Sequence, residues 1–152
     1  MGAITAEPLH RKLVDSFYVE AMLLADEARA YFDLLGRDER DGLDALTRVA
    51  FSCESLKVTT RLMHVIAWLL TQRAVDAGEL ALVDALHPTR RLGEAPESDA
   101  ATLAAMPFTA RALIDASVDL YRRVARLDES LDAVPVSVSP ARTMLNRLAH
   151  AF

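Results

Sequence analysis

Apolar residues recur along this chain at helical spacing, and no stretch of any length alternates as a strand would. From about Leu13 to Leu35 one row runs Leu13, Phe17, Ala21, Leu24, Ala28, Tyr31 and Leu35, and Gly36 follows where a helix commonly stops. A longer pattern spans roughly Leu43 to Ala77 with no Gly or Pro until Gly78. A third starts behind Pro107, well placed for a first helical turn, and runs to about Ala133 through Leu113, Ser117, Leu120, Val124, Leu127, Leu131 and Val134. The expected fold is all-α: an antiparallel three-helix bundle, up-down-up, with helices at about 13–35, 43–77 and 107–133 and the longest in the middle.

The connections differ in kind. Residues Met1 to Arg11 form a short leader, and GRDERDG is a brief charged turn between the first two helices. A short helix, Glu79 to Leu86, is expected to close at His87-Pro88. A loop of about 20 residues follows, HPTRRLGEAPESDAATLAAM, and loops of that length are usually functional or mobile. Residues 1–134 make one bundle domain. Pro135 and Pro140 set off 135–152 as a flexible tail, with room for a brief amphipathic helix carrying Met144, Leu145, Leu148 and Phe152 on one face.

The middle helix has more apolar surface than one partner covers. One seam steps by threes and fours through Leu46, Val49, Cys53, Leu56, Thr60, Met63, Ala67, Leu70, Ala74 and Ala77, and is expected to face the other two helices. Almost opposite lies a second row, Val58, Leu62, Val65 and Leu69, bordered by Trp68. That row can be covered by a short helix or the tail, by a second copy of the chain, or by another protein. Its rim of Glu54, Lys57, Arg61 and Gln72 favours an interface. The expectation is a homodimer built on Val58, Leu62, Val65, Trp68 and Leu69, with Glu54, Lys57, Arg61 and Gln72 as partner-binding residues.

Charge narrows the function classes. The net charge is -5, and the small basic group Arg122, Arg123 and Arg126 has acidic neighbours, so no nucleic-acid partner is expected. The longest uncharged apolar run, Leu62 to Gln72, covers about 11 residues, short of the roughly 20 a membrane span needs. One cysteine, Cys53, allows no internal disulfide, and no secretory signal is evident; a cytoplasmic protein is expected.

Candidate chemistry is thin. Glu7-x-x-His10 lies in the leader and Asp84-x-x-His87 runs into a proline, so neither builds a bundle metal site, and no cofactor is expected. His64 is expected to pack near the seam margin and Cys53 to sit on the seam as a small hydrophobe. Ser52 and Ser55 have no histidine to activate them. Asp115 and Asp119 sit near Arg122 and Arg123 as a solvated ion-pair face. No enzymatic activity is expected.

The segment FSCESLKVTTRLMHVIAWLLTQRAVDAGE, Phe51 to Glu79, resembles the RcdA (regulator of CtrA degradation) family of alphaproteobacteria. Glu54-Ser55, Thr59-Thr60-Arg61-Leu62-Met63, Trp68-Leu69-Leu70, Gln72-Arg73-Ala74-Val75 and Gly78-Glu79 carry the resemblance, and weaker similarity reaches from roughly Phe17 to Leu131. The resemblance implies a dimeric three-helix bundle with a mobile tail and no activity of its own. It also implies a proteolytic adaptor that binds the ClpXP protease primed by the response regulator CpdR, tethers substrates such as CtrA, and can be recruited to the cell pole. The alternative is a homodimeric helical scaffold with protease-independent partners.

Overall fold

The structure, a computed structural model, describes residues 2–133 and 140–151. Helix α1 (Gly2–Ala30) continues into a wide π turn (Tyr31–Leu35), followed by α2 (Arg37–Asp41) and the long α3 (Ala45–Asp76). Then come α4 (Leu82–Ala85), a 3-10 turn (Pro88–Arg90), α5 (Ala100–Ala104), α6 (Phe108–Ala133) and α7 (Pro140–Ala151). Among the described residues there is no strand, so the fold class is all-α as expected. The leader residues from Gly2 onward belong to α1. The expected segment 135–139 of the tail, with Val134, lies outside the described residues.

The π turn explains why one row of α1 ends early. The Gly36 N–H donates to the Tyr31 carbonyl at 2.7 Å, closing a turn one residue wider than an α turn. Tyr31 and Phe32 are therefore both buried, edge-on to each other and around Phe51, while Leu35, expected on the packed row, is exposed. Gly36 serves by lacking a side chain: a Cβ there would stand 2.8 Å from the Tyr31 ring. Gly78, by contrast, ends α3 with φ +76, and the Glu79 N–H reaches back to the Ala74 carbonyl at 2.9 Å, a helix stop that favours glycine.

The packed face of α3 is the opposite of the expected one. Phe51, Val58, Leu62, Val65, Trp68 and Leu69 are all buried in the core of the single chain, with Val65 and Leu69 at 0% exposure. The long three-four seam faces outward: Leu46 is 84% exposed, Leu56 67% and Met63 66%. The reason is volume. The inner row carries the large side chains Phe51, Trp68, Leu62 and Leu69, whereas the seam is diluted by Cys53, Thr60, Ala67, Ala74 and Ala77. Each large aliphatic side chain gains about 1.5–3 kcal/mol on burial, so the bulky row wins the core. The expected homodimer contact on Val58, Leu62, Val65, Trp68 and Leu69 is corrected accordingly, because these side chains are already covered by α1 and α6. Cys53, expected to pack, is exposed.

Helix directions differ from up-down-up. Antiparallel packing of α1 and α3 brings His10 to Gln72 and Arg73 to Tyr18. Arg123 of α6 pairs with Glu20 of α1, and Tyr31 lies near the start of α6, so these two are also antiparallel. Ser117 then meets Arg61 and Asp128 meets Trp68, which makes α6 parallel to α3. Parallel neighbours need a crossover, and the long loop supplies it by climbing the whole pair as an extended strap, residues 91–99.

Candidate functional site

Side chains that the sequence placed on a solvated rim are the ones that hold the strap. Arg61 is 2% exposed. Its guanidinium donates to the Pro96 carbonyl at 3.0 Å, to Ser98 Oγ at 2.7 Å and to Ser117 Oγ at 3.3 Å. Ser98 donates onward to the buried Glu54 carboxylate at 2.5 Å. Lys57 Nζ completes the group, donating to Glu54 at 3.1 Å and to the Glu97 carbonyl at 2.8 Å. Glu54 and Arg61 thus share one hydroxyl, and each buried charge has partners, as burial requires. Burial pulls the Arg61 guanidinium below its usual value, with Glu54 opposing that shift.

The lower strap is held as firmly. Arg91 donates from Nε to Asp128 Oδ1 at 2.8 Å, from Nη1 to Asp132 at 2.7 Å and from Nη2 to the Asp128 carbonyl at 2.9 Å. Trp68 Nε1 donates to the same Asp128 oxygen at 2.8 Å. These carboxylates raise the Arg91 guanidinium above its usual range. Tyr121 donates to the Gly93 carbonyl at 2.6 Å, and Gly93 lies so close to His64 that a Cβ would come within 2.3 Å of the ring. Between this part of the strap and α3 lies a cleft of about 700 Å³ lined by His64, Trp68, Thr71, Arg90 and Glu94, among others.

Gln72 is buried too. Its side-chain carbonyl faces His10 Nε2 at 3.3 Å, and among the described residues the Gln72 amide nitrogen meets no hydrogen-bond partner. Glu54, Arg61 and Gln72, expected as partner-binding residues, are therefore corrected to internal roles, and Lys57 is committed to the strap. The residues that sequence reading missed are Arg91, Gly93, Ser98, Ser117, Tyr121, Asp128 and Asp132. The one signal pointing to them was the improbable length of the loop.

The available surface lies elsewhere. Leu46, Val49, Cys53, Leu56, Met63, Ala67 and Leu70 form an uncovered stripe down α3. Beside it, between α1 and α3, an apolar groove of about 340 Å³ is lined in part by Ala25, Ala28, Phe32, Met63 and Ile66. Among the described residues no group of three His, Cys, Asp or Glu side chains is placed to hold a metal, and no helix is long and apolar enough to cross a membrane. Along α3 the surface offers apolar contact.

The family of proteins of unknown function DUF1465 matches residues 5–152. The crystal structure of RcdA from Caulobacter crescentus CB15 matches with 36% identity and a TM-score of 0.64, covering 78% of this chain and 89% of that one. No curated protein matches. A buried charge clamp, a strap across parallel helices and an open apolar stripe are thus features of a chain that belongs to the DUF1465 family and is a relative of RcdA.

Proposed function

We propose that this chain is a non-enzymatic regulator of proteolysis, an adaptor that brings protein substrates such as CtrA to the ClpXP protease primed by the response regulator CpdR. The observation that carries the reading is the likeness to RcdA along most of both chains. The surface supports it: the outward stripe of α3 is long and apolar, and such faces on soluble domains mark protein interfaces. In this reading the protein works in the cytoplasm, with recruitment to the cell pole, and self-associates through the α3 stripe instead of the buried row.

The test is reconstituted degradation. With ClpXP, CpdR, ATP and CtrA present, adding this protein is expected to speed CtrA loss, and omitting CpdR is expected to abolish the gain. Unchanged loss in the complete mixture sinks the adaptor reading. Affinity capture from the native cell that returns other proteins and no ClpX moves the assignment to a scaffold.

A further inference from the structure

The contacts that hold the strap are of two kinds. In the first, side chains of the helices donate to main-chain carbonyls: Tyr121 to Gly93 at 2.6 Å, Arg61 to Pro96 at 3.0 Å and Lys57 to Glu97 at 2.8 Å. Every residue carries such a carbonyl, so these three donors have no preference for the strap's own sequence. In the second, the strap supplies the side chain. Arg91 pairs with Asp128 and Asp132, and Ser98 accepts from Arg61 and donates to Glu54. A groove that binds an extended peptide works in this way, with main-chain bonds for affinity and a few side-chain positions for selectivity.

The selective positions are set by physical constraints. Glu94, Pro96 and Glu97 are exposed, so their side chains are not read. Gly93 is read by shape, since a Cβ there would stand 2.3 Å from the His64 ring. Ser98 is read by its hydroxyl. Glu54 is 1% exposed and Arg61 2%, and a segment without that hydroxyl leaves both buried groups short of a partner. The groove therefore selects arginine, glycine two residues on, and serine five residues further.

The strap also underfills its groove. About 700 Å³ stays open between α3 and residues 88–94, with the buried Trp68 among its walls. That volume lies in the range of ligand sites, about 300–1,000 Å³. A bulkier segment fills it and gains burial that the strap forgoes. An outside segment needs that gain, because the strap competes from its own chain at an effective concentration of about millimolar.

We infer that the groove between α3 and α6 is a binding site for an extended segment of another protein, carrying arginine, glycine and serine at that spacing, and that the strap occupies it as an internal stand-in. The site is independent of the adaptor reading: it fixes which segment binds, not what becomes of the partner. The probe is a labelled peptide of residues 90–99, RRLGEAPESD, followed by fluorescence anisotropy. Two variants weaken the strap and leave the groove intact, Gly93→Ala and the double substitution Arg91→Ala with Ser98→Ala. Each is expected to keep its helicity and to bind the peptide about 10-fold or more tighter than the unsubstituted chain does. Peptides with alanine in place of the glycine or the serine are expected to bind these variants about 10-fold or more weakly. In the unsubstituted chain, peptide at several millimolar is expected to speed amide exchange across residues 92–98, as the strap is displaced. Absence of saturable binding to folded variants, or equal binding of the alanine peptides, overturns the inference. So does strap exchange that is indifferent to the peptide, a reading that needs no substitution.

Discussion

At the residue scale, exposure decides what each α3 side chain is for. Leu62 is 4% exposed and belongs to the core. Leu62→Ala is expected to cost about 2–5 kcal/mol of stability in urea unfolding, the range for deleting a buried leucine side chain. Leu62→Glu is expected to unfold the chain rather than separate two copies, which circular dichroism checks. The clamp behaves differently from a packed hydrophobe. Arg61→Ala strips Glu54 of its bridged guanidinium and leaves a buried carboxylate with Lys57 as its one neighbouring cation and a Ser98 hydroxyl that has lost its own donor, an expected loss of about 3–5 kcal/mol. Gly93 is set by contact rather than by conformation. Gly93→Ala pushes a methyl into His64, and adding His64→Ala removes the obstacle, so the double variant is expected to be more stable than Gly93→Ala alone.

At the scale of elements, the strap is a segment without internal regularity whose order comes from its neighbours. Its ends are tied by carboxylates: Asp99 caps α5 by accepting from the Thr102 N–H at 2.7 Å, and Asp132 holds Arg91. These bonds pull both aspartates below the usual carboxylate range. A lowered pKa contributes stability that is present above the unfolded value of about 3.9 and is lost as pH falls through the folded value. Acidification below about pH 4 is therefore expected to release the strap first. The single tryptophan, Trp68, lines the cleft beneath it, so its emission is expected to shift to the red before far-ultraviolet helicity falls. Simultaneous changes would mean that the strap and the bundle melt together.

At the scale of the molecule, the parallel pairing of α3 and α6 makes the crossover a structural necessity. The end of α3 and the start of α6 lie at opposite ends of the pair, roughly 36 Å apart at 1.5 Å per helical residue. Replacing residues 77–107 by six Gly/Ser residues, which reach about 20 Å, is expected to destroy the cooperative thermal transition. A linker of about 24 residues reaches the span and is expected to keep the three helices paired, though less stably for want of the clamp. A six-residue variant that still melts cooperatively would show that α6 can dock in the other direction.

Helix content, the glycine stop at Gly78, the entry of α6 behind Pro107 and the buried row Leu113, Ser117, Leu120, Val124 follow from sequence alone, because each rests on spacing or backbone chemistry within a few residues. The two apolar rows of α3 were equally legible, as was the segment of resemblance from Phe51 to Glu79. Which row enters the core was not, since that choice compares the volumes of faces against partners far away in the chain. Nor could spacing reveal that Glu54 and Arg61 are buried: both become affordable inside the protein only when Ser98, Pro96 and Ser117 arrive from distant segments to satisfy them. The direction of α6 was settled in the same way, by a loop whose length was visible but whose path exists only once the helices it crosses have packed.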